Sequence, residues 1–405
     1  MTKGPLDGLR IFDMTRILAG PTATQVLGDL GADIIKVERP GTGDDTRGWG
    51  PPNLKDAAGN DTGESVYFNA ANRNKRSITI NFASPDGVAL AKRLIAKCDV
   101  LFENYKVGDL QKYGLGYDQL KAEFPRLIYC SLTGFGQTGP YAPRAGFDLV
   151  VQGQGGVMSI TGDAGGRPAK VGVGIADIMT GMYCNIAILA ALRHRDRTGE
   201  GQHIDLALLD TTVSWLVNEG MNYLHTGGIP KAMGTAHATI VPYQAFQTSD
   251  GYFILAVGND GQFKKFADFV GHPEWAADAR FKTNAARCKH RDEIVPAVEA
   301  QTRRKPTDFW LDALPPLGIP CGPVNTIDKV FADPQVQHRG MRIEIEHPAA
   351  GTKVPYIGSP IKMSKTPVSY RRAAPRMGEH NDEVLAELLG LSAGEIGALR
   401  GKGAI

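Results

Sequence analysis

Apolar and polar positions along the chain change period several times, and the changes mark its elements. Residues 9–15 (LRIFDMT) form a short apolar run, the pattern of a buried strand. From 21 to 30 the pattern turns helical, with Pro21 near the first helical position and Gly31 as the stop. Residues 33–38 (DIIKVE) read as a second strand. Strand, helix and strand in this order make a βαβ unit, and therefore a parallel sheet. Further strands are predicted over 78–82, 100–103 and 127–132, with a helix over 85–97 and helical character from 110 to 113. From 178 to 195 the apolar residues are too dense for one stripe, which predicts a helix buried on several sides. Arg193, His194, Arg195 and Arg197 gather at its C-terminal end, where the helix dipole favours positive charge. Residues 197–201 (RTGEG) close it, and 202–209 alternate as a strand.

Beyond this point a helical stretch over 210–224 gives way to a loose linker at 227–238. Strands over 240–246 and 252–257 are separated by a Ser-Asp-Gly turn. Helical segments follow around 263–269, 291–301 and 306–314, and the prolines from 315 to 323 mark a boundary. A strand at 342–346 and a helix at 382–389 complete the pattern. The expected architecture is α/β. A large domain occupies 1–225, a smaller domain is inserted over 226–325, and 326–405 return to the large domain.

Composition narrows the function classes. The 405 residues suffice for two domains or one large one. A hydrophobic share of 42% and a charged share of 22% are ordinary for a soluble globular protein. A net charge of +2 lacks the concentrated basic face of a nucleic-acid binder. The apolar runs read as too short and interrupted to span a bilayer, and residues 1–13 carry no apolar signal-peptide core. Cys98, Cys130, Cys184, Cys288 and Cys321 are odd in number and widely spaced, without a CxxC pair. That usage suits reduced thiols in a cytoplasmic setting, with neither zinc nor disulfides.

Candidate chemistry centres on Asp177, where a glycine-rich approach (172–176) meets the long helix. Two readings stand side by side. The carboxylate can be an N-cap, accepting the first free N–H groups. It can also be a nucleophile at a helix start, among small residues that let a ligand come close. Position alone does not separate them. Arg47 and Trp49 stand in the irregular loop PGTGDDTRGWGPP, where glycine and proline explain the loop but not these side chains. The cluster Arg73, Lys75, Arg76 reads as a solvated face or as a phosphate site. Residues 104–108 (NYKVG) follow a strand, where α/β sheets bind ligands. Residues 134–139 match G-x-G-x-x-G, but Pro140 follows at once and no helix opens, so the dinucleotide reading fails. The nine histidines are scattered without metal-ligand spacing; His237 is either a substrate contact or a satisfied loop residue.

Several motifs together resemble one family over nearly the whole chain. They are LAGPTATQVLGDLGADIIKVERPGTGDDTR, NRNKRS, FENYKVG, SLTGFGQTGP, the Asp177 segment with RTGEGQHID, and PRMGEHNDEVL. The chain resembles the class III CoA-transferases, the CaiB/BaiF family. Within it, GTAHATIVPYQAF and the loop around Arg47 look most like the succinyl-CoA:dicarboxylate enzymes of the succinate–hydroxymethylglutarate type. The resemblance implies a Rossmann-like large domain built from both chain ends, a smaller inserted α+β domain and an interlocked homodimer. It implies that Asp177 is the nucleophile, and that coenzyme A or acyl-CoA binds as substrate with no permanent cofactor or metal. It places CoA along Ile17, Leu18, Ala19, Arg39, Arg73, Asn104, Tyr105, Lys112 and Tyr113.

The implied chemistry is acyl transfer. Asp177 attacks the thioester, releasing CoA thiolate and leaving a mixed anhydride. The thiolate returns to the Asp177 carbonyl to give an aspartyl-CoA thioester, which the acceptor acid then attacks. An oxyanion hole is needed, for which Gly155 and Gly156 are candidates. A distal carboxylate on the acceptor calls for a paired cation, and Arg47 is ranked before Arg73 and His237. Segment 231–240 (KAMGTAHATI) is not the glycine-rich closing loop of the formyl-CoA transferases. An α-methylacyl-CoA racemase would carry His in Ala-Gly-His-Asp, but Phe147 stands there and cannot move a proton. A non-catalytic acyl-CoA-binding protein is the remaining alternative.

Overall fold

A computed structural model describes residues 4–405; of the opening segment read above, residues 1–3 lie outside the described ones. The chain divides into two compact units, one of residues 4–157, 171–221 and 335–405, the other of 158–170 and 222–334.

The first unit is built on a six-stranded sheet. Its strands are β1 (Arg10–Asp13), β2 (Asp33–Glu38), β3 (Lys75–Thr79), β4 (Val100–Glu103), β5 (Ile128–Thr133) and β6 (His203–Ala207). Their order is β3-β2-β1-β4-β5-β6, with every neighbouring pair parallel. This is the doubly wound order of the Rossmann fold, and its direction reverses between β1 and β4. A parallel sheet is covered on both faces, so its strands read as continuous apolar runs. Successive residues accordingly enter opposite cores. Phe12, Ile35, Leu101 and Tyr129 face one side. Ile11, Ile34, Phe102 and Ile128 face the other.

Helix α1 (Ala19–Asp29) and the long helix α4 (Ile175–Thr198) cover the second face and pack on each other. Gly181 allows the approach, since a Cβ there would stand 2.4 Å from the Ala19 carbonyl oxygen. Between them in sequence lie α2 (Pro85–Ile95) and the short α3 (Asp148–Gln154). Helix α5 (Asn381–Leu389) packs against β3 and α2 on the opposite face. It brings residues from far along the chain to the sheet edge. Asn381 Oδ1 accepts the Thr79 N–H at 2.8 Å, and the Ala404 carbonyl accepts the Asn81 N–H at 2.9 Å.

Helix α4 corrects one expectation. Its 24 residues are long and apolar enough to cross a bilayer by length and composition. Ala176, Cys184, Ile188 and Ala191 instead pack in the core of this unit. Tyr183, Ile186 and Leu189 remain outside that packing, with Ile186 63% exposed.

The second unit carries an antiparallel sheet of Cys321–Pro323, Tyr252–Ala256 and Tyr243–Gln247. Helices surround it over a core that includes Phe246, Phe253, Phe266 and Trp310. Arg287 is fully buried there, bonded to the Val241 and Phe281 carbonyls and to Asp260.

Candidate active site

The strand order places a crevice at the carboxyl ends of β1 and β4, and the residues leaving those two strands line it. A cleft of about 160 Å³ is walled by Ile17, Leu18, Ala19, Asn104 and Tyr105, with Asp177 among its lining residues. A larger groove of about 550 Å³ continues from it and shares Arg16 and Tyr105. Arg39, Tyr113 and Phe82 line the groove, the two rings 6.2 Å apart.

The loop after β1 is held by a buried ionic network. The Lys36 ammonium donates to Asp44 at 2.8 Å and to the Thr15 carbonyl at 3.0 Å. Lys75 donates to Asp13, to Asn72 and to the Pro21 carbonyl. Burial alone would raise the Asp44 carboxyl, but the Lys36 charge outweighs it and holds the group at about 2. Burial lowers Lys75 to about 8, against the pull of Asp13. Asp44 also takes the Ile17 N–H, and Ile17 is held at φ +73°. That region is a genuine outlier for a β-branched residue and costs of order 1–3 kcal/mol, which the surrounding bonds sustain.

Asp177 is the third residue of α4, and it does not cap the helix. Gly174 stands at the N-cap position without a side-chain bond. The free N–H groups are taken by Asp148, at the start of α3. Its Oδ1 accepts from Ala176 at 2.8 Å and from Asp177 at 3.3 Å, while Oδ2 accepts from Gln152 at 2.6 Å. The capping reading of Asp177 is therefore overturned. Among the described residues no donor reaches its carboxylate. Burial, and secondarily the Asp148 charge, push it up to about 7. Tyr67 is also near: burial first, then the charges of Asp177 and Asp148, raise its hydroxyl above the usual range. A carboxylate without a bonded partner, at a helix start and beside a cleft, is free to attack an acyl carbon.

Of the residues named from sequence, Ile17, Leu18, Ala19, Asn104, Tyr105 and Asp177 meet in the cleft, and Arg39 and Tyr113 meet Tyr105 in the groove. The others stand elsewhere. Arg73 is 4% exposed and forks onto Asp29, with Nη1 on the Ile357 carbonyl. Arg76 is bonded to Asp33 and Glu387. The cluster 73–76 is thus neither a solvated face nor a phosphate site, because five carboxylates distant in sequence, Asp13, Asp29, Asp33, Glu383 and Glu387, neutralise it. Arg47 is bonded to Glu38 through Nε at 2.7 Å and Nη2 at 2.8 Å, and lies 3.7 Å over the Phe68 ring. It is spent on the fold. Trp49 is exposed and meets the Tyr67 ring edge-on at 5.1 Å. Lys112 is a surface residue paired with Asp109 and lines neither cleft.

Gly155 and Gly156 cannot offer an oxyanion hole in this arrangement. Their N–H groups are given to the Val151 and Gly153 carbonyls. His237 belongs to the second unit, where its Nδ1 accepts from the Thr239 N–H and its ring meets Tyr243 edge-on.

Several site residues have no role in the sequence reading. Asp148 caps a helix 29 positions away, and no local pattern announces that. Arg16 and Arg144 also line the cleft, together with Lys106 of the NYKVG segment and Phe147 of the rejected racemase motif. Phe147 lies there as a ring 56% exposed, where the racemase reading needs an acid–base group.

Comparisons with known proteins identify the family. The family model for CoA-transferase family III matches residues 6–381. A succinate–glutarate CoA-transferase of Agrobacterium fabrum is 50% identical, over 95% of this chain and 96% of that protein. A human succinyl-CoA:glutarate CoA-transferase is 43% identical, over 99% and 90%. The crystal structure of a CaiB/BaiF family protein from Brucella suis superposes with a TM-score of 0.84 at 49% identity, covering 96% of this chain and all of that one. The chain belongs to CoA-transferase family III, the CaiB/BaiF proteins. Its substrates are accordingly CoA thioesters.

Proposed function

We propose that this protein moves CoA from succinyl-CoA to a dicarboxylate acceptor of similar length, such as glutarate, through a covalent thioester on Asp177. The observation that carries the proposal is the Asp177 carboxylate, unpartnered among the described residues beside the switch-point cleft. The names of the relatives, succinate–glutarate and succinyl-CoA:glutarate CoA-transferase, supply the acids.

In the first step an Asp177 oxygen attacks the thioester carbon, the C–S bond breaks, and CoA leaves as the thiolate. The thiolate attacks the Asp177 carbonyl and expels the donor carboxylate. The acceptor carboxylate then attacks the aspartyl thioester, and the same two steps run in reverse. The cleft and groove together would hold acyl-CoA, with the thioester at Asp177 and the nucleotide end near Arg39, Phe82 and Tyr113. The acceptor's distal carboxylate needs a cation. Of the three that line the cleft, Arg16 is bonded to Asp45. Arg144 lies 3.9 Å over the Tyr141 ring and has no carboxylate partner among the described residues, so it suits a planar acid.

The exposed face of α4, with Phe147, Leu149 and Val150 (49–56% exposed) where α3 begins, supports a homodimer. In the interlocked form, tagged and untagged dimers would not exchange subunits on dilution. The cytoplasm is the proposed compartment, since all five cysteines are unpaired thiols.

The test of the mechanism is trapping. Protein incubated with succinyl-CoA and then hydroxylamine should carry a hydroxamate on the peptide containing Asp177. Label at another carboxylate, or none during active turnover, would overturn it.

A further inference from the structure

A line of three side chains under the cleft has no part in the chemistry above. Glu103 ends β4, Ser131 lies beside it in register on β5, and His203 opens β6. Ser131 Oγ is 3.0 Å from His203 Nε2, and Ser131 also hydrogen bonds the Glu103 carboxylate. Glu103 Oε2 accepts the Tyr105 N–H at 2.7 Å. These groups line a cavity of about 260 Å³ whose wall includes Lys106 and Val107, which also wall the Asp177 cleft.

The next residue extends the hold across the crevice. Asn104 Oδ1 accepts the Arg16 N–H at 3.0 Å, and its Nδ2 donates to the Arg16 carbonyl at 2.8 Å. Arg16 leads directly into Ile17 with its left-handed backbone. Both walls of the cleft are thus tied to the strand end that Glu103 occupies. Glu103 is 4% exposed and has no ion-pair partner among the described residues. An anion kept in that setting is costly, and an apolar side chain would fill the same space without the cost.

We propose that Glu103 is a positioning residue for acyl-CoA: through the Tyr105 N–H it holds the 104–107 turn against the loop at Ile17, and Ser131 and His203 orient it. This rests on the reading that cleft and groove hold acyl-CoA. The anion is the stronger acceptor for the N–H, so protonation slackens the turn. Burial pushes Glu103 up to about 7, with the Ser131 and Tyr105 bonds offsetting only part and Asp205 adding to the rise. The groups facing it are Lys106 from the turn, Tyr117 and Asp118 from the short helix Tyr117–Leu120, Tyr129 from β5, and His203 and Asp205 from β6. Burial keeps His203 below its usual range, so it is neutral near pH 7. The grip on CoA is therefore full above about pH 7 and weakens below it.

The experiment uses Asp177→Ala protein, in which the nucleophile neither turns over nor titrates. The Kd for CoA is measured by calorimetry from pH 5.5 to 8.5, with and without Glu103→Gln. Titration of the CoA phosphates is common to both proteins. With Glu103 present the Kd should rise several-fold more on acidification than in the Glu103→Gln protein. His203→Phe keeps the ring stacked 4.8 Å from Tyr117 but loses the bond to Ser131, and should move the midpoint to higher pH. Superimposed profiles for the first pair overturn the proposal. If Glu103→Gln does not fold, an unmoved midpoint in His203→Phe does so. Failure of the Asp177→Ala protein to bind CoA at any pH would overturn the acyl-CoA reading itself, and this proposal with it.

Discussion

The carboxylate of Asp148 stands against the backbone of Asp177, accepting the N–H of Ala176 at 2.8 Å and that of Asp177 at 3.3 Å. One group thus caps the helix and disfavours ionisation of the side chain beside it. Capping by Asp148 leaves Asp177 unbonded, and its charge adds to the burial that holds Asp177 at about 7. An unbonded carboxylate with a raised pKa is a stronger nucleophile than an ordinary aspartate once ionised.

Asp177→Ala should lower transfer by roughly four orders of magnitude or more, the scale of losing a nucleophile. CoA should still bind, because the residues proposed to grip it are elsewhere. Steady-state exchange of labelled CoA, with calorimetry beside it, checks both. More than a few per cent of wild-type turnover would remove Asp177 from the chemistry.

The rate should follow ionisation of Asp177, so kcat at saturating succinyl-CoA, where the Glu103 grip no longer limits binding, should rise with pH through about 7 and then level. Asp148→Asn removes a like charge and keeps an oxygen for the cap. The acid limb should move to lower pH, though only part of the way, since burial is the larger cause. A limb that stays in place would exclude Asp148 as its neighbour.

Stability gives an independent reading of the same group. The folded-state pKa lies above the unfolded value near 3.8, so the folded protein holds the proton longer and loses stability as pH rises from about 4 to 7. Asp177→Asn has no such loss. It should be more stable than wild type at pH 8 by about 1–2 kcal/mol, less than the full 1.4 kcal/mol per unit because the carboxylate is partly open to solvent. The gap should close toward pH 4.5. Thermal melts across that range measure it, and a constant gap would contradict the titration.

Arg47→Met should act on the fold and not on acceptor choice. It leaves Glu38, 4% exposed, without its guanidinium. Breaking one side of a buried pair costs about 3–5 kcal/mol. Denaturant melts should show that loss, while the ratio of kcat/KM for glutarate over butyrate stays near wild type. Arg144→Met should do the reverse, lowering that ratio about tenfold or more with little change in melting. Equal losses for both acids would reassign Arg144 to CoA.

The sheet is legible in the sequence because parallel strands are buried on both faces, which gives β1, β2 and β4 adjacent apolar residues, Ile11-Phe12, Ile34-Ile35 and Val100 to Phe102, at their centres. The long helix is legible for the same reason. The start of α4 is not, since its cap comes from another helix. The apolar pattern puts β3 at 78–82 where the strand is Lys75–Thr79, because Lys75 and Arg76 look like surface charges. Their partners Asp13 and Asp33 lie 62 and 43 positions away, beyond any local pattern. The same distance hides the fates of Arg47 and Arg73. The motif residues of the cleft fare better, because they sit in the turns that end β1 and β4, where topology alone puts a ligand.

The bonds from Asn381 and Ala404 to Thr79 and Asn81 bear on how the protein is made. Asn381 is 302 positions beyond the strand it completes. A ribosome therefore releases β3 and its neighbouring groove wall, Ile80 to Phe82, long before their partners are synthesised. The early strands can pair as they emerge, but the groove lined by Arg39, Phe82 and Tyr113 must wait for residues 381–404. Ribosome stalling or a premature stop before that point would deliver a nascent chain with Asp177 already made and the groove beside its cleft unfinished, a species for chaperones or proteases to handle.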